Sequence, residues 1–311
     1  MIVTLTPNTT IDHTVFIPAY QPGKTIRATH SLFSTGGKPT DASYILGALG
    51  IPSLALGFAA GNTGKQVEAL LRGRGVTVDY IQVEGESRLN TVIVTSDGHP
   101  QTTITTATMQ VLPEHIEALW PQYKRALDQA SVVVTGGTLP KGVQPAFYDR
   151  AISMARERGI PVIFDAAQPN LSAGLHAKPT FIKPNADELT ELVGESITSL
   201  EAAFGVGQSI LDQYGTASVM TFGGEGALAV LPDKAYRIPP LKITVSSAAG
   251  AGDAVLAGLA ASIERGQPVE EGLRLGIAAA AAVCMLPGTA DCRREDVERL
   301  LPQVELIPFG L

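Results

Sequence analysis

Short runs of apolar and β-branched residues alternate with longer stretches of helical periodicity along most of this chain. Such continuous runs are typical of strands buried on both faces, with the intervening helices covering those faces. The sequence therefore predicts an α/β fold, with a mostly parallel, doubly wound sheet between two layers of helices. Strands are predicted at residues 2–5, 53–57, 80–83, 132–135, 162–165, 181–183, 219–222 and 227–231. Helices are predicted at residues 40–49, 64–73, 114–129, 145–158, 186–192, 200–214, 252–265, 269–285 and 294–301.

Two regions, residues 12–33 and 88–106, interrupt this alternation. In the second, the run 89–94 is followed by a turn at Asp97-Gly98 and a polar, threonine-rich run at 102–106. That order predicts a β-hairpin. Neither region fits a βα unit, so we expect them to form a small antiparallel flap that acts as a lid over a site.

Charge and composition narrow the class of partner. The chain has 23 basic and 30 acidic residues and no basic stripe, which argues against nucleic acid but not against small anionic ligands. Neither Cys284 nor Cys292 lies in a metal-binding or disulfide pattern. We expect no signal peptide, membrane span or membrane partner, and a cytoplasmic location.

The strongest chemical signal is Gly250-Ala251-Gly252-Asp253, which lies between a strand-like run at 241–245 and a predicted helix. Small residues let backbone amides converge at the start of the helix, where the helix dipole also favours an anion. Asp253 could accept a proton from an attacking hydroxyl there. The segment alone also fits an ordinary helix cap.

Other phosphate motifs fit poorly. Residues 60–66 resemble a P-loop, but the leading glycine is missing and Gln66 replaces the usual Ser or Thr. There is no GxGxxG following a strand. A Walker ATPase or a Rossmann dehydrogenase is therefore disfavoured.

Several further segments occur together with the glycine-rich loop. They are Thr6-Pro7-Asn8-Thr9-Thr10-Ile11-Asp12, Gly36-Gly37-Lys38, Ser87-Arg88-Leu89-Asn90, Gly136-Gly137-Thr138-Leu139-Pro140-Lys141-Gly142, Lys183-Pro184-Asn185-Ala186-Asp187-Glu188-Leu189 and Thr221-Phe222-Gly223-Gly224-Glu225-Gly226-Ala227. In this order they resemble the ribokinase-like (PfkB) carbohydrate kinases, and most closely the 1-phosphofructokinase and tagatose-6-phosphate kinase branch. The resemblance covers nearly the whole chain. It implies a single ribokinase-like three-layer α/β/α domain over 1–311, with a β lid from about 11–35 and 87–107.

The resemblance implies a role for each matching residue. Asp253 would be the general base, and the amides of Gly250, Ala251 and Gly252 would stabilise the transferred phosphoryl group. Lys38 and Arg88 would neutralise a phosphate already on the sugar, with Arg27 and Lys141 as weaker candidates. The remaining substrate-binding residues would be Asp12, Gly36, Gly37, Asp41 and Asn90.

The same resemblance places ATP and Mg²⁺. The nucleotide would contact Lys183, Asn185, Thr221, Gly223 and Gly226, and the adenine would lie against Ala279, Ala280 and Val283. For those last three, plain helix packing is an equal alternative. Asn185 and Glu188 would hold Mg²⁺, mostly through water. Glu188 also fits a first-turn acid that favours the helix dipole.

Two departures from the family pattern bear on these roles. Asp41 stands where the family usually has Asn, and we expect its negative charge to disfavour a nearby sugar phosphate unless Lys38 or Arg27 compensates. Ala248 stands where the family usually has Thr, so that position lacks a hydroxyl.

The leading hypothesis is an ATP-dependent kinase of fructose 1-phosphate, tagatose 6-phosphate or fructose 6-phosphate. One alternative is a kinase of an unphosphorylated sugar or a nucleoside, which Asp41 favours. Another is a non-catalytic sugar-binding or regulatory protein. Exposed strand edges in the lid predict a homodimer formed through it.

Overall fold

The computed structural model describes residues 1–97, 101–106 and 109–310. Numbered along the chain, its strands are β1 (Ile2–Thr6), β2 (Thr10–Ile17), β3 (His30–Gly36), β4 (Ser53–Ala60), β5 (Thr77–Val83), β6 (Arg88–Thr95), β7 (Thr102–Thr105), β8 (Val132–Gly136), β9 (Val162–Asp165), β10 (Phe181–Ile182), β11 (Ala217–Thr221), β12 (Ala227–Val230), β13 (Ala235–Ile238) and β14 (Ile307–Pro308). Its helices are α1 (Lys38–Ala48), α2 (Gly61–Gly73), α3 (Pro113–Leu127), α4 (Ala146–Arg156), α5 (Asn170–His176), α6 (Ala186–Val193), α7 (Leu200–Tyr214), α8 (Ala251–Glu264), α9 (Val269–Met285) and α10 (Arg294–Leu300).

The large sheet has the strand order β14-β13-β12-β11-β10-β9-β8-β1-β4-β5 among the described residues. Neighbouring strands from β5 to β11 in this order run parallel, while β12, β13 and β14 add an antiparallel edge. The predicted mostly parallel sheet is thus confirmed. Its parallel strands bring their carboxyl ends to one edge, where ligands bind in folds of this type.

Helices cover both faces of this sheet. One apolar core joins it to α1, α8, α9 and α10, and a second joins it to α3, α4, α5, α6 and α7. Alternate residues of one strand supply the two cores: Val132 and Val134 face the first, and Val133 faces the second. This alternation explains why buried strands such as β8 are apolar at nearly every position. None of the helices in the described part of the chain combines the length and apolar character that a membrane span requires.

The small sheet has the order β3-β2-β6-β7. The predicted hairpin is confirmed as the antiparallel pair β6 and β7, although Gly98 of the predicted turn and Ala107 at the end of the predicted lid lie outside the described residues. The central pair β2 and β6 is parallel rather than antiparallel. The reason is that β1 and β5 run in the same direction, and each continues after a short turn into the small sheet.

The strand-like run at residues 241–245 does not form a strand, because this segment is irregular. Its alternating Leu241, Ile243 and Val245 side chains line a cleft instead of joining the sheet. β14 already pairs with the outer side of β13. The sequence analysis also missed α5, β13 and β14, which are too short to show a clear hydrophobic period.

Helices α8 and α9 pack backbone to backbone. A methyl group added at Gly258 of α8 would overlap the backbone of Gly276 and the carbonyl oxygen of Gly272, both in α9. Because that neighbour is backbone, it cannot rotate away as a side chain could. Glycine at position 258 therefore allows α8 to pack this closely against α9. Helix α8 is the helix that begins with residues 251–253.

Replacing Gly258 with alanine is expected to lower the free energy of unfolding by about 1–3 kcal/mol or more, the usual cost of overpacking. The matched control is Gly205→Ala in α7, where an added methyl group meets nothing within 4 Å. That control should be neutral or stabilising, because alanine is the better helix former. Urea denaturation of both variants measures the difference. A Gly258→Ala variant as stable as Gly205→Ala contradicts this account of the helix contact.

Candidate active site

The glycine-rich loop forms the start of α8. Gly250 is the residue before the helix and has φ 80°, a left-handed conformation that favours glycine. A side chain there would also overlap the backbone of Ala290. Asp253 follows in the first helical turn and is 9% exposed. The sequence thus places a buried carboxyl group beside a helix N-terminus, as predicted.

Four charged side chains meet at the carboxyl edge of the large sheet. Asp165, at the end of β9, forms an ion pair with Lys38 at 2.6 Å and another with Lys183 at 3.0 Å. Lys38 also reaches Glu188 at 2.7 Å. Asp165 is 1% exposed and Lys183 is 4% exposed. We call these four residues the ion cluster.

The ion cluster favours the charged forms of Asp165 and Lys38. Burial opposes ionisation of Asp165, but Lys183 and Lys38 outweigh it and hold the pKa of its carboxyl below the usual range. Burial likewise opposes the charge on Lys38, but Asp165 and Glu188 raise its pKa above the ordinary value.

Asp253 differs from Asp165. Burial, followed by repulsion from Asp165, raises its pKa to about 7, although Lys38 and Lys183 partly oppose the shift. A carboxylate with a pKa near neutrality is well matched to accept a proton from a hydroxyl at physiological pH.

A cleft of about 570 Å³ opens beside Asp253. The predicted nucleotide residues line it together: Lys183, Asn185, Thr221, Gly223 and Gly226. Ala251 and Gly252 also line it, and Lys183 points towards the loop, since its ammonium would lie 3.1 Å from a side chain added at Gly252. One end of the cleft therefore combines amides and a cation.

The other end of the cleft is apolar. Its wall includes Ile243, Val255 and Ile277, with Ala280, Ala281 and Cys284 of α9. The prediction for Ala279 and Val283 is wrong, because both are fully buried in the core beneath the sheet. Helical periodicity explains the error, because positions 277, 280, 281 and 284 share the face of α9 that lines the cleft, whereas positions 279 and 283 face the core.

Asn185 and Glu188 form a capping box at the start of α6. Asn185 Oδ1 accepts a hydrogen bond from the backbone amide of Glu188 at 2.8 Å, and Glu188 Oε2 accepts one from the backbone amide of Asn185 at 2.9 Å. Because Glu188 Oε1 is bound to Lys38, both Glu188 oxygens are engaged. Direct metal ligation would break these contacts. Within the described residues, no cluster of three or more His, Cys, Asp or Glu side chains could hold a metal ion.

A second, polar pocket centres on Asp12 in β2. Its Oδ1 accepts from Asn90 at 2.8 Å and its Oδ2 accepts from Thr289 at 2.7 Å. Gly36 lies directly over it, since a side chain there would come 2.6 Å from Asp12 Oδ1. Gly37 follows with φ 99° and precedes α1. Each Asp12 oxygen keeps a lone pair for a further donor such as a sugar hydroxyl.

Arg88 lies at the rim of this polar pocket. Its guanidinium donates to Thr10 at 3.1 Å and to Thr138 at 3.0 Å. Across the described residues, no carboxylate forms an ion pair with it. Arg27 and Lys141, the weaker candidates, are exposed.

The structure separates Lys38 from Arg88. The Lys38 ammonium is held by Asp165 and Glu188 beside the cleft, so the predicted role of Lys38 in neutralising a sugar phosphate is not supported. Two carboxylates attract the ammonium more strongly than the polar groups around Arg88 do.

The two family departures have structural consequences. Asp41 is buried, and burial, followed by repulsion from Asp253 and Asp12, raises the pKa of its carboxyl well above the usual range, which opposes the negative charge expected there. Ala248 does leave its position without a hydroxyl, but Ser247 Oγ accepts a hydrogen bond from the Ala249 amide at 3.3 Å. The loop therefore keeps a hydroxyl one residue earlier.

Sequence reasoning missed Asp165, Thr138 and Thr289. Asp165 carried a usable signal, since it ends the buried run Val162-Ile163-Phe164-Asp165 and the carboxyl ends of parallel strands share an edge. Thr289 follows α9 in an irregular segment, and no local pattern marks it as a partner of Asp12.

A cleft at the carboxyl edge of a parallel sheet, with an anion-binding loop and a nearby carboxyl base, defines a phosphoryl-transferring enzyme of the α/β class. The sequence profile of the pfkB family of carbohydrate kinases matches residues 6–296. The chain belongs to this family, which confirms the resemblance seen in the sequence.

Individual relatives agree over nearly the full length. The chain is 29% identical to the 1-phosphofructokinase of Bacillus subtilis, covering 98% of this chain and 99% of the relative. It is 30% identical to the ATP-dependent 6-phosphofructokinase isozyme 2 of Mycobacterium tuberculosis, covering 96% and 88% respectively. The crystal structure of phosphofructokinase-2 from Escherichia coli in complex with substrates and products superposes with a TM-score of 0.89 at 25% identity, covering 97% and 98%.

Asp165→Asn is expected to lower the free energy of unfolding by about 3–5 kcal/mol at pH 7, because it leaves the buried Lys183 without a counter-charge. The folded-state pKa of Asp165 is lowered, so its contribution is complete above an unfolded-state pKa of about 4. It is lost as the pH falls through the folded-state value. The gap between wild type and variant should therefore narrow below about pH 4.

Urea denaturation at several pH values measures this gap. The matched control is Glu117→Gln, which removes the acid of an exposed ion pair with Arg150 and should change stability little. Equal losses in the two variants contradict a structural role for the ion cluster.

Proposed function

We propose that this protein is an ATP-dependent kinase that transfers the γ-phosphoryl group of ATP to a hydroxyl of a ketohexose phosphate. The observation that carries the proposal is the position of Asp253 between two different pockets. Asp253 lines the amide-rich end of the cleft, and its carboxyl contacts Asp41. Asp41 in turn lies close enough to Asp12 for the two carboxyl groups to repel each other. A base in this position serves a donor on one side and an acceptor on the other.

The cleft suits a nucleoside triphosphate. Its apolar end, with Ile243, Val255 and Ile277, offers an apolar surface for a base. Its polar end, with Lys183 and the amides of Ala251 and Gly252, suits the phosphates. Thr221 and Gly223 also line the cleft and would contact the rest of the nucleotide. One of the relatives described above is named as ATP-dependent.

Mg²⁺ fits this site only with its water shell. Asn185 and Glu188 would hold it through water, because their oxygens already close the capping box and pair with Lys38. A hydrated ion is the usual protein-bound form of Mg²⁺. When bound, the ion neutralises charge on the nucleotide phosphates.

Phosphoryl transfer follows from the placement of these groups. Asp253 accepts the proton of the acceptor hydroxyl as the hydroxyl oxygen bonds to the γ-phosphorus and the bond to ADP breaks. The amides of Gly250, Ala251 and Gly252 and the ammonium of Lys183 stabilise the charge on the moving phosphoryl group.

The acceptor is a sugar phosphate in this proposal. Asp12 and Asn90 supply an acceptor and an amide for sugar hydroxyls. Arg88, which is paired only with hydroxyl groups in the described structure, supplies a guanidinium for a phosphate. Its neighbour Thr138 adds a hydroxyl. The relatives include a 1-phosphofructokinase, a 6-phosphofructokinase and a tagatose-6-phosphate kinase of Staphylococcus epidermidis, so fructose 1-phosphate, fructose 6-phosphate and tagatose 6-phosphate are all candidates.

Two alternatives make different demands. A kinase of an unphosphorylated sugar or nucleoside has no use for a cation at Arg88, and the sequence feature that favours it, a negative charge at Asp41, is opposed by the raised pKa of that carboxyl. A non-catalytic binding protein does not require a carboxyl whose pKa lies near 7 at the mouth of an anion site.

We also propose that the small sheet is a lid and that two copies of the chain pair through it. Phe33, His13, Thr91 and Ile104 form a row across its four strands on the face opposite Asp12, with Phe33 and Ile104 48% and 53% exposed. Pairing would cover the exposed apolar side chains of Phe33 and Ile104. Light scattering should give the molar mass of a dimer, and a monomer mass contradicts the pairing.

Turnover tests the proposed function. With ATP and Mg²⁺, the protein should phosphorylate one of the three ketohexose phosphates in preference to fructose, ribose and adenosine. Asp253→Ala should reduce kcat about 10²–10⁴-fold, the usual loss on removing a general base. ADP release and formation of the phosphorylated sugar, measured together, show whether ATP consumption is coupled to transfer to the sugar. Turnover only on a neutral acceptor reassigns Arg88, and sugar binding without turnover supports the non-catalytic alternative.

Arg88→Ala should raise KM for the phosphorylated substrate about 10–100-fold with a small change in kcat, because a charge-assisted contact to the bound substrate is lost. The matched control is Lys141→Ala, which removes an exposed cation from the same turn as Thr138. Steady-state kinetics on the sugar phosphate measure both. An unchanged KM in Arg88→Ala removes this residue from the site.

A further inference from the structure

Asp41 and Asp253 are two buried carboxyl groups in hydrogen-bond contact. Asp41 lies in the first turn of α1 and Asp253 in the first turn of α8, and their side chains share a hydrogen bond. Asp41 is 3% exposed. Ionised carboxylates accept hydrogen bonds but cannot donate them. A hydrogen bond between the two therefore requires a proton on one of them.

The surroundings decide which acid keeps the proton. Lys38 and Lys183 act on Asp253 and favour its negative charge. Asp41 instead faces Asp253 and Asp12, whose negative charges disfavour its ionisation, and Tyr80 on β5 is also close to it. The Thr35 hydroxyl and the guanidinium of Arg88 act in the opposite direction. Burial, which is the largest effect, and the negative neighbours outweigh them and raise the pKa of Asp41 well above the usual range.

An unpartnered oxygen points the same way. Asp41 Oδ1 is buried and has no hydrogen-bond partner among the residues that the structure describes. Leaving a charged oxygen in this state costs far more than leaving a neutral carbonyl oxygen, because desolvation penalises charge most strongly. The neutral acid is the form that this position tolerates.

We propose that Asp41 is a positioning residue that stays protonated and donates its shared hydrogen bond to Asp253, so that the pair carries one negative charge, on the base. This inference rests on the proposed function. In the transfer step, the acceptor hydroxyl gives its proton to Asp253, and the Asp41 proton is not consumed. The shared hydrogen bond stabilises the Asp253 carboxylate and fixes its orientation towards the acceptor.

The rise of activity with pH then belongs to the pair rather than to either residue alone. Burial raises the pKa of both carboxyls, but Asp253 ionises first, near pH 7. Activity should rise through that range. At higher pH, loss of the Asp41 proton places a second charge beside the base and activity should fall.

Two substitutions at Asp41 separate its hydrogen bond from its titration. Asp41→Asn keeps a donor of nearly the same shape that cannot ionise. It should keep the acid limb of the kcat–pH profile and lose the alkaline fall. Asp41→Leu removes the donor. It should shift the acid limb to higher pH and reduce kcat at pH 7 about tenfold or more, since one pKa unit is a tenfold change in the ionised fraction.

A readout that needs no turnover keeps the inference testable if no sugar is phosphorylated. Asp41 ionises above about pH 4 in the unfolded chain but keeps its proton when folded, so wild-type stability falls as the pH rises towards the folded-state pKa. The unfolding constant of wild type relative to Asp41→Asn should grow up to about tenfold per pH unit in this range.

Three outcomes overturn the proposal. They are an alkaline limb that is unchanged in Asp41→Asn, an Asp41→Leu profile that matches wild type, and a wild-type to Asp41→Asn stability difference that does not vary with pH. Absence of turnover in wild type, combined with the expected stability difference, instead contradicts the proposed function and leaves the shared proton in place.

Discussion

The carboxylate of Asp165 joins three parts of the chain that are distant in sequence. It ends β9, and it holds Lys38 from the start of α1 and Lys183 from the end of β10. Lys38 then fixes Glu188 and, through the capping box, the start of α6. Ion pairs therefore hold these residues of the cleft in position. Such a buried cluster is costly to form, and it is stable only because each charge has a partner.

The same cluster gives two aspartates opposite properties. Asp165 touches two ammonium groups and stays ionised, whereas Asp253 is buried near Asp165 and has a pKa near 7. Segment 288–290 links the two pockets, since Thr289 binds Asp12 and Ala290 packs against Gly250. This segment therefore connects the polar pocket to the glycine-rich loop that carries Asp253.

Sequence reasoning reached most of the fold and the outline of the site. Buried strands such as β8 and β9 are apolar at nearly every position, and the glycine loop with Asp253 has a local signature. The predictions fail where tertiary contacts, rather than the local sequence, determine the structure. Residues 241–245 alternate like a strand but line a cleft, and Ala279 and Val283 differ from Ala280 only in helical phase. The two acids that bind Lys38 are 127 and 150 residues away in sequence, and the pKa of Asp41 depends on burial and on Asp253 in a different helix.

The central claim is that donor and acceptor meet at Asp253. The most direct test is a crystal structure with a non-hydrolysable ATP analogue, Mg²⁺ and the sugar phosphate that the enzyme turns over. The account predicts the adenine against Ile277 and Ala280, and the reacting hydroxyl within about 2.6–3.2 Å of the Asp253 carboxylate, the reach of a general base. A nucleotide bound outside this cleft, or an acceptor hydroxyl beyond the reach of Asp253, would contradict it.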